Sequence, residues 1–349
     1  MVNHSGSSNA LRFLRCIVAD ATYCLSMAYV RGIRRCEEIQ ASNSPSGPLG
    51  WLPDASEKIP VFHLATLLGQ PSTGDWRHGK VLVLKTVANP WGILVDRLES
   101  VIQVTASEVC PLPTVARNPA ADYFEGVVQY NNTMLLALSP AGLAPNTPAG
   151  VAGTLPSVHT PESLYTSIGM TAAARARGKL VVFSAAPDRR FAFGLSLSQV
   201  PQILQALPLL PVPGAAPYVL GLVAWRQVPL AVLDLYQRLG GPAVPMPSDG
   251  RLLIARAAGV RAFVGLAIRP QISLHSLPMA HRVSTRHVPL QESLLRGRFE
   301  RENDLLLIPD IDRLLVTPDD ASTPDHSRPE REHVVDSSAE STMGLHTAL

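Results

Sequence analysis

An internal duplication constrains this 349-residue sequence more than any other feature. Residues 79–84 (GKVLVL) recur as residues 250–255 (GRLLIA), at an offset of 171 positions. The same offset relates Gly50 to Gly221, Gly69 to Gly240, and the pair Glu125 and Gly126 to the pair Arg296 and Gly297. A period this long, present twice, predicts a duplicated domain, because a solenoid needs shorter and more numerous repeats.

The duplication divides the chain into four segments. We expect a first domain at 11–143 and a second, divergent domain at 179–317. Residues 144–178, rich in Pro, Ala, Thr and Ser, are expected to form a linker. Residues 318–349 combine Pro, Ser, Asp and Glu with few large apolar residues, which predicts a disordered acidic tail.

The hydrophobic pattern within each copy is mainly that of strands. Residues 16–18 and 23–27 flank a turn at Asp20, and residues 180–183 and 191–195 flank a turn at Asp188, so each copy is expected to begin with a hairpin. Further strands are expected at 59–62, 80–87, 92–95, 126–130 and 133–138. Helix signals are limited to 63–68, closed by Gly69, and 233–239, closed by Gly240. The fold class is therefore all-β with a few short helices, as an antiparallel barrel or sandwich.

Composition and charge exclude several classes. The longest apolar stretch, residues 16–30, is shorter than a membrane span and contains Asp20. It also lacks a signal-peptide cleavage site, so we expect a cytoplasmic protein with no direct membrane insertion. The net charge is only +2, with basic residues scattered along the chain, and aromatic residues make up 5%. A nucleic-acid-binding β-barrel stays an alternative, although it would need aromatic residues beside a basic stripe.

No enzyme signature stands out. Ser196 lacks the second glycine of a nucleophile elbow. Asp310 and Asp312 follow a proline and are expected to begin a capped turn that enters a short helix. The remaining candidates are histidines spaced six residues apart and four cysteines without a C-x-x-C spacing, which predict no metal site: His275, His281 and His287; Cys16, Cys24, Cys36 and Cys110. We therefore expect no catalytic residue, no metal and no cofactor, and an enzyme is the third choice of function.

Both copies contain strings that form a recognisable pattern. In the first copy, residues 92–102 (GILVDRLESVI) precede 111–113 (PLP), 123–128 (YFEGVV) and 134–138 (MLLAL). In the second copy, residues 221–235 (GLVAWRQVPLAVLDL) precede Leu239 and Gly240. These strings resemble the CheW-like domain, the coupling module of bacterial chemosensory arrays, over most of residues 11–315. The resemblance implies two tandem domains, each a pair of small five-stranded SH3-like barrels on a shared apolar core.

Each copy departs from the family pattern in one place. The first copy keeps the Val-Asp signature at Val95 and Asp96, but residues 53–58 lack the arginine that the family often carries before Pro-Val-Ile-Asp-Leu. The second copy keeps that arginine as Arg226, but Ala267 and Ile268 stand where we expect Val-Asp. Charged or aromatic residues at turns are the best candidates for partner contact, because a core has no need of them. These candidates are Asp96, Arg97, Trp51 and Arg226.

The resemblance implies a non-enzymatic adaptor in bacterial chemosensory signalling. Its expected partners are the regulatory domain of a CheA-type histidine kinase, the cytoplasmic tip of a chemoreceptor and other CheW-like domains. Barrels provide edge strands and grooves that can take a partner's strand or helix. Two hypotheses for the unequal copies stay open: each binds a different neighbour, or one binds and the other mainly stabilises.

Overall fold

The computed structural model describes residues 10–42, 47–54, 58–71, 76–85, 89–118, 122–144, 178–186, 190–243, 245–257, 259, 262–276, 287–300 and 304–316. The linker prediction, apart from Ala144 and Gly178, and the tail prediction lie outside these residues, as does His281. Both copies fall within one unit, residues 1–317. Four-residue α-helices and single 3₁₀ turns interrupt a structure that is otherwise made of strands and loops.

The first copy contains twelve described strands and two helices. They are β1 (Leu11–Val18), β2 (Ala21–Ser26), β3 (Val30–Arg35), β4 (Gln40–Ala41), β5 (Gly50–Pro53), β6 (Lys58–His63), α1 (Leu64–Leu67), β7 (Lys80–Leu84), β8 (Trp91–Val95), β9 (Arg97–Val104), β10 (Val109–Cys110), β11 (Phe124–Tyr130), β12 (Thr133–Leu138) and α2 (Pro140–Leu143).

The second copy contains ten described strands and two helices. They are β13 (Lys179–Phe183), β14 (Phe191–Ser196), β15 (Gln202–Gln205), β16 (Val219–Trp225), β17 (Val228–Leu233), α3 (Leu235–Arg238), β18 (Arg251–Arg256), β19 (Phe263–Ile268), β20 (Ile272–Ser276), β21 (Leu295–Glu300), β22 (Leu305–Pro309) and α4 (Ile311–Leu314).

Each copy forms two sheets with the same connectivity. In the first copy the orders are β10-β11-β12-β2-β1-β9 and β3-β7-β8-β6-β5-β4. In the second copy they are β20-β13-β14-β22-β21 and β15-β18-β19-β17-β16. The second copy has the expected five strands in each sheet, and the first adds the two-residue edge strands β4 and β10. The all-β prediction of paired small sheets in two tandem domains is confirmed.

We call the sheet formed by β3–β8 in the first copy, and by β15–β19 in the second, the middle sheet of that copy. Side chains join β3 to the end of β5 in the first copy and β15 to β16 in the second, across the open side of this sheet. In the first copy, Arg31 on β3 pairs with Asp54 after β5, with the nitrogen and oxygen 3.0 Å apart. In the second copy, the indole nitrogen of Trp225 on β16 donates to the side-chain oxygen of Gln202 on β15 at 2.9 Å. The seam of the barrel is therefore an ion pair in one copy and a neutral hydrogen bond in the other.

Apolar burial joins the sheets. Alternate residues of each strand fill the interior of its own sheet, as in the cluster of Phe13, Ile102 and Val128. The opposite faces meet in one large core that contains buried residues from both copies, for example Leu14 and Leu222. Since burial stabilises a structure by roughly 25 cal/mol per Å² of apolar surface, this shared core is the main favourable contribution to the fold.

The short helices begin at capping side chains. His63 Nδ1 accepts from the backbone N–H of Ala65 before α1, and Asp234 accepts from the N–H of Gln237 before α3. The expected helices at 63–68 and 233–239 are thus each reduced to four residues, with the first residues serving as strand end and cap. The capped turn predicted at Asp310 is confirmed, because its carboxylate accepts from the N–H groups of residues 312 and 313 at the start of α4.

The expected strands do not include β3, β9, β15 and β20, among others. All four are edge strands, with one unpaired side. Edge strands carry exposed polar residues, which protect them against pairing with other chains but remove the apolar alternation that reveals a strand. For example, β3 contains the exposed residues Arg31, Ile33, Arg34 and Arg35.

A buried arginine connects the two sheets of the second copy. Arg238, at the end of α3, donates from Nε to the carbonyl of Leu314 at 3.1 Å and from Nη2 to the carbonyl of Val316 at 2.9 Å. Its guanidinium also lies over the ring of Tyr218, 4.8 Å from the centroid. These contacts satisfy carbonyl groups that the end of α4 would otherwise leave without partners.

We predict that Arg238→Met lowers the free energy of unfolding by about 1–3 kcal/mol, because buried carbonyls lose their donors while apolar volume is kept. Urea denaturation followed by tryptophan fluorescence measures the loss. The matched control is Arg256→Met, since Arg256 is exposed at the end of β18. Equal stability of the Arg238 and Arg256 variants would show that the buried contacts contribute nothing.

Candidate functional site

Asp96 lies at the junction between the two sheets of the first copy. Its Oδ2 accepts a hydrogen bond from the backbone N–H of Ala19 at 2.8 Å, and its own N–H donates to the carbonyl of Ile17 at 3.0 Å. Ala19 has a φ of 48°, so this bond holds a strained β1–β2 turn. Asp96 therefore joins the end of β8 to the first hairpin, and its side chain is only partly exposed.

His63 is the second ionisable group at this junction. Its Nε2 lies 3.8 Å from Asp96 Oδ1, while Nδ1 caps α1. Burial lowers the pKa of His63, although the Asp96 carboxylate acts in the opposite direction. Because a capping Nδ1 must carry a lone pair, the arrangement requires a neutral imidazole with its proton on Nε2.

Arg97 presents its side chain to solvent at the start of β9. The side chain is 70% exposed, and its Nη2 lies 3.9 Å from Glu99 Oε1. Glu99 is held more closely by Arg15 on the neighbouring strand, at 2.6 Å. Arg97 is thus available to a partner in a way that Asp96 is not.

Trp51 is an exposed aromatic residue on the outer side of β5. It pairs with Pro60 on β6 and with Gln40 on β4, and 37% of its surface is exposed. The exposed residues Gln40 and Ala41 flank it. An exposed tryptophan on a rigid strand is a common feature of protein interfaces. We name the outer surface formed by Gln40, Ala41 and Trp51 the Trp51 face.

Arg226 occupies the two-residue turn between β16 and β17. The φ angles of Arg226 and Gln227 are 52° and 61°, as a type I′ hairpin requires. The guanidinium stacks on the ring of Trp225, 4.7 Å from its centroid. The turn carbonyl of Gln227 accepts from the side-chain nitrogen of Gln129 in the first copy at 2.7 Å.

The four candidate residues do not form one site. Asp96 and Arg97 are adjacent, but the structure records no hydrogen bond, ion pair or ring contact that joins them to Trp51 or Arg226 among the described residues. Trp51 belongs to the middle sheet of the first copy and Arg226 to the middle sheet of the second.

Strand register corrects the expected position of the Val-Asp signature in the second copy. Gly92 pairs with Val61, and Gly265 pairs with Val232, so Ile268 and Arg269 occupy the places of Val95 and Asp96. The expectation that Ala267 and Ile268 stand there was wrong by one residue. The carboxylate of the first copy is therefore replaced by a guanidinium, and the N–H of Arg269 keeps the equivalent backbone bond, to the carbonyl of Ser184.

The two copies are in direct contact. Strand β16 lies against the 3₁₀ turn Thr114–Ala116 of the first copy. A small pocket between the copies is lined by residues that include Leu112, Ala116 and Tyr123 from the first copy and Val212 and Pro213 from the second. The backbone at Gly214 approaches so closely that a Cβ there would lie 2.8 Å from Asn118 Nδ2.

Strand pairings also identify the residue of the second copy that corresponds to Trp51. Trp51 follows Gly50, which pairs with Val61, and Leu222 follows Gly221, which pairs with Val232. Leu222 thus occupies the place of Trp51, and it is fully buried in the shared core. Equivalent surfaces of the two copies therefore differ: one is open and the other is covered.

Glu125 on β11 is a charged group that the motifs did not single out. Both oxygens of its carboxylate are buried. Burial raises the pKa of Glu125 to about 7, and the hydroxyl of Tyr29 beside it acts in the opposite direction. Its counterpart at the 171-residue offset, Arg296, pairs with Asp310 at 3.2 Å and with Asp312 at 2.9 Å. The 171-residue repeat in the sequence already showed this replacement of a carboxylate by a guanidinium.

Among the described residues, those considered for catalysis and metal binding are not brought together in such a site. The Ser196 hydroxyl accepts from the N–H of Ser198 at 3.4 Å and caps a 3₁₀ turn. His275 contacts Ser273 on an exposed strand, and His287 lies 3.6 Å from Glu292. In the described part of the chain, no group of three or more His, Cys, Asp or Glu side chains is arranged to hold a metal ion. Nor does any described helix have the length and apolarity to span a membrane.

The fold and these contacts define a class of protein: tandem domains of two β-sheets each, with exposed turns and strand faces. The model of the family described as "CheW-like domain" matches the chain twice, at residues 12–147 and 179–319. This chain therefore belongs to the CheW-like domain family.

Known proteins that are similar to this chain include the following two. A Rhizobium etli protein with the description "Probable chemotaxis protein CheW" is 25% identical over 120 residues, which cover 34% of this chain and 77% of that protein. The crystal structure of the scaffolding protein TtCheW from Thermoanaerobacter tengcongensis aligns with a TM-score of 0.36 at 17% identity, covering 44% of this chain and 100% of that chain.

We predict that Asp96→Ala and Arg97→Ala have different effects on stability. Loss of the carboxylate leaves the Ala19 N–H without its acceptor, so Asp96→Ala should lower the free energy of unfolding by about 1–2 kcal/mol. Arg97→Ala should change it by less than about 0.5 kcal/mol, since exposed ion pairs contribute little. Chemical denaturation of both variants measures the difference, and equal losses would contradict the structural role of Asp96.

We predict a pH-dependent effect at Glu125. A carboxyl group whose pKa is raised in the folded state holds its proton there, so it disfavours folding progressively as pH rises from about 4.5 through about 7. Glu125→Gln should therefore be more stable than the wild type at pH 8, and this gain should vanish near pH 5. Thermal unfolding across this pH range measures the difference.

The control for the Glu125 prediction is Glu37→Gln, because Glu37 is exposed on a 3₁₀ turn. This variant should follow the wild type at every pH. A Glu125→Gln difference from the wild type that is the same at pH 5 and pH 8 would contradict the assigned proton binding.

Proposed function

We propose that this protein is a non-enzymatic adaptor of bacterial chemosensory signalling, which couples chemoreceptors to a CheA-type histidine kinase. The observation that carries the proposal is the open Trp51 face on a domain of the CheW-like family. The related Rhizobium etli protein supports the class of pathway, because it is described as a chemotaxis protein.

The proposed partners are the regulatory domain of the kinase, the cytoplasmic tip of a receptor and other CheW-like domains. We assign the kinase regulatory domain to the Trp51 face. In the second copy, strand β16, which carries the equivalent residue Leu222, lies against the turn Thr114–Ala116 of the first copy, which is part of a CheW-like domain. A surface of a CheW-like domain therefore contacts the equivalent of this face within the chain itself, which supports a folded domain as the partner at Trp51.

Of the other candidate residues, Arg97 is the better placed for contact with a partner. Its side chain extends into solvent beside the β8–β9 junction, whereas Asp96 is occupied by the first hairpin. We propose that Arg97 contacts a partner directly and that Asp96 positions the turn. Arg226 is held by Trp225, in a hairpin that already contacts the first copy.

We predict that Trp51→Glu abolishes capture of the kinase. The full chain, immobilised, should retain a CheA-type kinase or a chemoreceptor from native cell lysate, and mass spectrometry identifies them. A buried tryptophan anchor contributes on the order of 2 kcal/mol or more to binding, so the variant should retain less than about a tenth as much kinase.

The matched control is Leu207→Glu, which places the same charge on an exposed apolar residue of the second copy. It should capture as much kinase as the wild type. Recovery of neither a kinase nor a receptor by the folded wild-type chain would overturn the proposed function. Full capture by Trp51→Glu would overturn only the assignment to the Trp51 face.

A further inference from the structure

The second copy's counterpart of the Trp51 face is occupied within the same molecule. Leu222 stands at the position of Trp51 but is fully buried, and Leu210 stands at the position of Gln40 because it bridges to Leu222 as Gln40 pairs with Trp51. Strand β16, which carries Leu222, lies against the turn Thr114–Ala116. The covering surface therefore belongs to the first copy.

The composition of the two faces agrees with this difference in exposure. Gln40 is polar and exposed in the first copy, whereas Leu210 and Val212 are apolar and partly buried against the shared core in the second. Apolar residues gain from burial in a permanent contact, while polar ones tolerate solvent between encounters. The second face is thus built for a permanent occupant and the first for an intermittent one.

Polar and backbone contacts fix the geometry of this internal interface. The side chain of Gln129 donates to the carbonyl of Gln227 in the Arg226 turn at 2.7 Å. At the opposite end, Gly214 has a φ of 75° and fits closely against Asn118 and Tyr123. The turn of the β16–β17 hairpin and the loop that precedes β16 therefore each contact the first copy.

We propose that the first copy is the built-in occupant of the second copy's docking face, so that the chain presents a single open face of this kind, the one at Trp51. This inference rests on the proposed function for the nature of the partner, but the internal occupation stands on the contacts above. The family arginine in the second copy, Arg226, then supports the internal interface. The chain binds one kinase regulatory domain although it contains two copies of the fold.

The test uses the full chain and a variant in which the internal interface is opened. In the opening variant, Gln129→Glu replaces the donor to Gln227 with a carboxylate, and Gly214→Trp places a ring where a Cβ would already collide with Asn118. The control variant carries Gln103→Glu on an exposed position of β9 and Gly178→Trp. Gly178 has a similar φ of 82°, with nothing within 4 Å of an added Cβ.

Two readouts are combined. Isothermal titration with the purified regulatory domain of the CheA-type kinase from the same cell gives the number of binding sites. Hydrogen–deuterium exchange gives the exposure of the β16–β17 hairpin without any partner. We expect one site for the wild type and the control, and two for the opening variant, together with faster exchange of the hairpin. Trp51→Glu as the sole substitution should leave no binding site for the kinase domain. The same substitution added to the opening variant should leave one.

Several results would overturn the proposal: two sites on the wild type, one undiminished site on Trp51→Glu alone, or one site on an opening variant whose hairpin exchanges faster. Binding by none of the variants would instead refute the proposed function. In that case, the exchange data alone decide whether the first copy occupies the docking face of the second. Faster exchange in the opening variant than in the control supports it, and equal exchange overturns it.

Discussion

Burial of apolar surface on the outer sides of four small sheets is the constraint on which the structure depends. Each sheet fills its own interior with few residues, such as Leu180, Val182, Ala192 and Leu306 in one sheet of the second copy. Small cores of this kind stabilise a domain only marginally. The outer faces must therefore pack against one another, and in this chain they form one core that continues from the first copy into the second.

This dependence explains why the two copies are unequal. When two copies of a fold share a core, the residues at their contact are no longer free to serve a partner, and selection acts on them for packing. Leu222 in place of Trp51 is one result. The copies also differ at Asp96, where the second copy has Arg269: the backbone bond of the junction survives while the charge changes sign.

The sequence was sufficient for the architecture but not for the site. Buried strands such as β8 and β12 show continuous apolar runs, and the duplication linked each to its counterpart. Edge strands such as β3 were not predicted, because their exposed residues do not show the alternation of apolar and polar residues that indicates a strand. The role of Asp96 could not be read either, since its acceptor bond to Ala19 joins residues 77 positions apart. No local pattern records such a contact. For the same reason, motifs alone could not tell that Trp51 is open and Leu222 covered.

Placing both copies in one chain changes the thermodynamics of their contact. A tethered partner has an effective concentration in the millimolar range, which exceeds that of most free proteins in a cell. A free domain of equal intrinsic affinity therefore loses the competition for the Leu222 surface, although it meets no competitor at Trp51. Duplication of an adaptor domain within one chain need not double its valence. It can convert one binding face into an internal support and leave its counterpart as the site that partners use.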